Sequence, residues 1–245
     1  MLICGHIMLR FSIILIMTAS VVANAAQPWA GSRQCLVVIT ESWTSPAGKL
    51  SMLERDDESA SWRRRGSAIE VRVGRAGLAW GRGLTDTANF AGPVKKEGDD
   101  KAPAGVFRLG TVFGSKRESK MPFAALSRNL VAVDDPSSRY YNQLIDQTKI
   151  DRRDWKHAEQ MFGVSVYKRG VVVEHNTPAK AGAGSCIFLH VWESPATSTS
   201  GCTAMPEQEL AGIIRWLDPA RHPLLVQLPR PVYEKLLATW KLPTL

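Results

Sequence analysis

Residues 163–192 read GVSVYKRGVVVEHNTPAKAGAGSCIFLHVW, and the fold turns on how this stretch is parsed. Three short runs, 163–168, 170–175 and 186–192, are rich in β-branched and apolar residues. Gly, Pro and Asn punctuate them, the pattern of short strands separated by turns. Arg169–Gly170 reads as the turn of a hairpin between the first two runs. The same pattern extends outward. CLVVIT (35–40), KLSMLER (49–55), AIEVRVG (68–74), GLAWG (77–81), GVFRLG (105–110), NLVAV (129–133) and LLVQL (224–228) are all strand-like. Strands this frequent, without regular intervening helices, predict a mainly β fold: a sandwich or barrel with a few short α-helices.

The clearest helix is PEQELAGIIRWLDP, from Pro206 to Pro219. Proline suits a first helical position, and Glu207 and Glu209 suit the positive end of the dipole. Leu210, Ile213, Ile214 and Leu217 recur at i, i+3, i+4, i+7, so one face is expected to be buried. RDWKHAEQMF (153–162) is a shorter helical candidate, and PVYEKLLATW (231–240) reads as a C-terminal helix that docks Leu236, Leu237 and Trp240. With no internal repeat and no linker, one domain over 35–229 is expected, followed by a helix and tail over 230–245.

The 245 residues are 44% hydrophobic and 22% charged, enough for a sizeable core. The net charge of +8 favours anionic partners. The cations are interspersed with acids, and Arg63–Arg64–Arg65 is too short for a nucleic-acid arm, so a solvated face and no nucleic acid are expected. The N-terminus is more telling. After Met8 come Arg10, an apolar run from Phe11 to Val22, and Ala23–Asn24–Ala25. A charged start, a short apolar stretch and an A-x-A site predict a signal peptide over 1–25, and Met8 serves as a start as well as Met1. The apolar run is shorter than the ~20 residues a membrane span needs. A secreted or periplasmic protein follows, with no stable membrane insertion after cleavage.

Export removes Cys4 and leaves Cys35, Cys186 and Cys202. In an oxidising compartment two can pair and one stays free. Cys35 and Cys186 each open a strand-like run, so they are either a bridge or two reduced core thiols. Cys202 differs, lying in TSGCTAM (199–205) just ahead of the Pro206 helix. A thiolate at a helix N-terminus is expected to ionise below the usual ~8.5. The amides around Gly201 and Cys202 would hold an oxyanion. His190, at a strand end twelve residues upstream, is placed to take the thiol proton. Ser200, Ser185 and the pair His175–Asn176 are weaker candidates to orient His190 or bind substrate, against plain turn roles. Lys101 and Arg108 flank APAGVF and are cations that could meet acidic substrates. Zinc on Cys186, His190 and Cys202 lacks a fourth ligand.

FLHVW followed by TSGCTAM resembles the catalytic signature of the L,D-transpeptidases, the YkuD-type domain: a strand-end histidine, then Ser/Thr-x-Gly-Cys. KKEGDDKAPAGVFRLGTVFG (95–114) and HNTPAKAGAGSCIFLH (175–190) are similar to the family's substrate-facing segment and its Gly-rich approach to the histidine. The resemblance covers about residues 35–229. It implies an L,D-transpeptidase-like β-sandwich or barrel, Cys202 as nucleophile and His190 as general base and acid. It also implies peptidoglycan stem peptides as partners, a monomer, and no metal or organic cofactor. The acceptor would be the amine of a second stem, an attached protein or water. Two positions depart from the family pattern: Ser200 stands where many members have histidine, and Ala204 where they have a substrate-anchoring arginine. The His-to-Cys spacing is also short. Rival expectations are a hydrolytic carboxypeptidase or amidase of the same fold, and a non-catalytic wall-binding β domain.

Overall fold

The computed structural model describes residues 31–245, so the expected signal peptide over 1–25 lies outside the described residues. Eight strands close into a barrel. In chain order they are β1 (Gln34–Thr40), β2 (Ala47–Glu54), β3 (Arg63–Arg72), β5 (Ala102–Gly114), β10 (Arg169–Val173), β11 (Phe188–Val191), β12 (Thr203–Met205) and β13 (Leu224–Pro229). Around the ring the order is β10-β11-β12-β3-β2-β1-β13-β5, and a β5–β10 pairing closes it. Closure removes the open edges a sheet of this size would otherwise expose. The short strands β4 (Leu78–Trp80) and β6 (Phe123–Ala125) append to β5.

Two pairs in the ring, β1–β13 and β11–β12, are parallel, and the remaining neighbours are antiparallel. The parallel strands β1 and β13 are buried along their whole length, as their unbroken apolar sequences CLVVIT and LLVQL require. Val37, Leu50, Val71, Val106, Leu189, Met205 and Val226 belong to one apolar core. Helix α1 (Glu207–Trp216) adds Leu210, Ile213 and Ile214 to that core, and packs on β10 and β11. Helix α2 (Arg230–Leu236) and the tail beyond it add Tyr233, Leu236, Trp240 and Leu242, so 230–245 belongs to the same core as the barrel.

A second, smaller sheet lies against the outside of the barrel. It consists of β7 (Leu130–Val133) between β8 (Gln143–Asp146) and β9 (Glu159–Gln160). Leu130 and Ala132 of β7 pack with Phe113, Met161, Tyr167 and Phe188 in a separate apolar cluster. That cluster glues the small sheet to β5 and β11.

Two local expectations fail, and the open choice between a Cys35–Cys186 bridge and two reduced thiols is decided. Residues 163–168 are not a strand, and Arg169–Gly170 is not a hairpin turn. Ser165–Tyr167 form a single 3₁₀ turn that swings Tyr167 into the outer cluster, and β10 begins at Arg169 between β5 and β11. Residues 153–162 form no helix. Trp155 is buried beside Val131 and Val133, and the chain then runs into β9. Cys35 and Cys186 are both free, the first sealed in the barrel and the second outside it, so no bridge joins them. Arg63–Arg65, by contrast, are exposed on β3, the solvated face that was expected.

Candidate active site

Strands β11 and β12 run parallel with Leu189 opposite Thr203, His190 opposite Ala204 and Val191 opposite Met205. Side chains alternate along a strand, so the two sets separate cleanly. Leu189, Val191 and Met205 belong to the barrel core, while Phe188 packs in the outer cluster and Cys202 packs against it. His190 shares the outward parity of Phe188, and Cys202 that of Ala204. The histidine and the cysteine therefore sit on the same outward face of adjacent strands, offset by one side-chain repeat. Ala204, the residue directly beside His190, carries only a methyl group between them. Both line one cleft of about 370 Å³ between the barrel and the small sheet.

Each member is anchored from the barrel side. Thr203 turns inward and its hydroxyl hydrogen-bonds Gln227 at 2.7 Å, and Gln227 in turn donates to the Pro103 carbonyl at 2.9 Å. That buried chain fixes the strand that follows Cys202. Gly170 pairs with His190 from the other side; a Cβ there would lie 2.2 Å from the Phe113 ring and 2.7 Å from the Leu189 carbonyl. Gly201 has φ +156° and runs close to the Lys101 carbonyl, a conformation that suits glycine. The ring of Tyr167 meets that of His190 edge-on at 5.5 Å, and its hydroxyl donates to Glu159 at 2.6 Å.

His190 is buried, and its Nδ1 lies 2.7 Å from the Val191 carbonyl. A carbonyl only accepts, so Nδ1 carries the proton of the neutral ring and Nε2 carries the lone pair. Nε2 has no protein partner among the described residues. Burial lowers the His190 pKa below its ordinary value, with the Val191 bond opposing. The Cys202 thiol donates to the Cys186 carbonyl at 3.7 Å and accepts the Phe188 N–H at 3.3 Å. Desolvation pushes its pKa up to about 12, despite the Phe188 N–H, which lowers it. The expected helix-dipole activation does not operate. Cys202 precedes β12, and the whole strand, roughly 10 Å long, separates it from the start of α1. The resting pair is thus neutral thiol and neutral imidazole.

The other expected residues divide. Ser200 and Ser185 line the cleft. Ser200 Oγ accepts from Arg75 at 3.1 Å, and Arg75 also pairs with Asp100 at 2.6 Å, so an arginine from a distant turn stands at the rim. Ser185 donates to Glu97 at 3.0 Å. The Gly201 amide is already committed to Thr199 Oγ1 at 3.1 Å, which removes it from the expected oxyanion pair. His175 and Asn176 are not among the residues lining the cleft, and their polar atoms are engaged by backbone groups. His175 is buried with Nδ1 accepting from the Arg82 amide and Nε2 donating to the Ala183 carbonyl, and burial lowers its pKa to about 4. Asn176 donates to the Lys180 and Gly184 carbonyls, closing its own loop. Lys101 is tied to the Ala76 carbonyl, and Arg108 lines a different cavity. No group of metal-ligating side chains occurs among the described residues.

Sequence reading misses the acidic walls of the cleft. Glu97, Asp134, Glu159 and Glu193 line it, and no lysine or arginine does among the described residues. In a chain of net charge +8 this reverses the overall sign locally. The four acids come from four separated segments and leave no local signal. Non-glycine residues with positive φ do mark the neighbourhood, at Asn142, Asn176 and Cys186. No protein-family model, curated protein or solved structure matches this chain.

Proposed function

We propose that this chain is an exported L,D-transpeptidase with the β-barrel form of that fold, acting on peptidoglycan stem peptides. The observation that carries this reading is the parallel β11–β12 register, which aims Cys202 and His190 from adjacent strands into one cleft. A cysteine and a histidine on one cleft, the histidine's other nitrogen pinned by a carbonyl, supply the side chains nucleophilic acyl transfer needs; at rest the thiol bonds the Cys186 carbonyl, and it must turn to His190 for the reaction.

The neutral resting pair sets the order of events. Cys202 Sγ attacks the carbonyl of the third stem residue, a diamino acid, as His190 Nε2 takes the thiol proton. Proton transfer accompanies attack because neither group is ionised beforehand. The C–N bond to the terminal D-alanine breaks, His190 returns the proton to the departing amine, and a thioester remains on Cys202. An acceptor amine then attacks the thioester; the C–S bond breaks, His190 takes the amine proton and passes it back to sulfur. The Cys202 amide is the remaining candidate for the oxyanion. The acidic lining favours an incoming ammonium-bearing group, which supports an amine acceptor over water.

Incubation of the purified protein with disaccharide-tetrapeptides, followed by mass analysis, tests the reading. Release of D-alanine with cross-linked dimers is expected. Release without dimers would make the protein a hydrolase of the same chemistry, and no release would leave a wall-binding module.

A further inference from the structure

We infer that Asn142 is a positioning residue for the nucleophile, acting through the backbone carbonyl of Cys186. The inference rests on Cys202 being the reactive thiol. Asn142 begins from an unusual backbone, φ +65°, just before β8, and its amide is held by the Val133 carbonyl at 2.8 Å. Its side chain makes three hydrogen bonds. Nδ2 donates to the carbonyls of His175 and Asn176 at 2.8 and 2.9 Å, and Oδ1 accepts the Cys186 N–H at 2.8 Å. One amide thereby ties the small outer sheet to both ends of the 175–186 loop, using donor and acceptor faces together.

The consequence falls on Cys186. That residue also has positive φ, +53°, a conformation that costs a side chain with a Cβ about 1 kcal/mol. It is held there from two sides, by Asn142 on its amide and by its own thiol donating to the Val133 carbonyl at 3.4 Å. The turn directs the Cys186 carbonyl at the Cys202 thiol, 3.7 Å away. A carbonyl accepts from S–H and repels S⁻, so it parks the thiol protonated and fixes its direction. The reactive sulfur is thus aimed by an asparagine sixty residues earlier in the chain, at the entry to a strand of the small outer sheet.

Asn142→Gly tests this, since glycine keeps the left-handed backbone and adds no charge. The readout is iodoacetamide labelling of the Cys202 peptide against pH, quantified by mass spectrometry, beside the kinetics of D-alanine release. The charged and titratable groups acting on the thiol are Glu159, Lys95, Tyr167 and Cys186, with His190 lining the same cleft, and the substitution alters none of them. With the carbonyl released, about tenfold more Cys202 labelling is expected at a given pH, together with about a tenfold lower kcat and little change in KM. More thiolate with less turnover separates aiming from general weakening. Cys186→Gly loses the thiol's bond to Val133 but also the left-handed strain that bond opposes, and it keeps the Asn142 contact, so its labelling profile is expected to stay close to the parent's.

An unchanged Cys202 profile in folded Asn142→Gly overturns the inference, and so does a shifted profile in Cys186→Gly. The native thiol provides a check that does not depend on either of those variants folding. The infrared difference between it and Cys202→Ser is expected to show an S–H band displaced by hydrogen bonding; a free-thiol band overturns the inference. Should the native protein release no D-alanine, the functional proposal fails while the labelling and infrared results still decide the role of Asn142.

Discussion

Strands β11 and β12 present two faces that share a backbone and little else. Inward, Leu189, Val191 and Met205 are buried in the apolar core, and the one polar side chain, Thr203, is satisfied by Gln227. Outward, one residue along, stand Phe188, His190, Cys202 and Ala204, bordered by a cleft, acidic side chains and a left-handed cysteine. The contrast shows how a barrel divides labour. Alternation puts stability on one face and leaves the other free for titratable groups, and a slip of one residue would exchange them.

Substitutions on the two faces should therefore fail in different ways. Cys202→Ala should abolish D-alanine release in a protein whose melting temperature stays near the parent value; residual release would break the division at its most important point. His190→Asn should lower kcat by about 10²–10⁴-fold with folding intact, as measured by steady-state kinetics. Leu189→Ala, the neighbour that points inward, should cost about 2–5 kcal/mol in urea unfolding while the folded fraction keeps its turnover. If Leu189→Ala instead altered kcat in folded protein, the faces would be coupled.

Acid should act through a buried histidine distant from chemistry. His175 titrates near 4 when folded, whereas an unfolded histidine takes its proton near 6.5. Below about pH 6.5 the unfolded chain binds a proton the native chain refuses, so stability falls as pH drops towards 4, by about 3 kcal/mol. His190 shifts in the same direction. The three thiols, all raised by burial, act at the other end: the unfolded chain releases their protons first, and stability falls as pH climbs above about 9. Urea midpoints across pH should thus peak between these limits. The smallest effect concerns Gly170, where the outer face is crowded. Gly170→Ala should cost about 1–3 kcal/mol, because the Leu189 carbonyl that meets the new Cβ cannot yield.

Much of this was legible in the sequence because the signals were local. CLVVIT, GVVV, IFLHV and LLVQL became barrel strands, and the Leu210–Leu217 periodicity became α1. His190 and Cys202 stood out through residue type and spacing. What was not legible depended on partners far along the chain. Residues 163–168 have strand composition, but tertiary packing uses Tyr167 as a plug beside His190. The 153–162 segment has helical residues, yet burying Trp155 between β7 residues outweighs that preference. The thiol looked activated because three residues separate it from a helix; those three form a strand, and desolvation dominates. Asn142 and the four acids gave no hint, since each matters only through what the fold brings to it.

The most direct test is to trap the covalent intermediate. The protein is mixed with a tetrapeptide donor without acceptor, quenched, weighed intact, and its adduct mapped by peptide. The account predicts one acyl group on Cys202, lost in Cys202→Ala, with D-alanine released in equal amount. An adduct on Cys186, or D-alanine release that persists in Cys202→Ala, would contradict it.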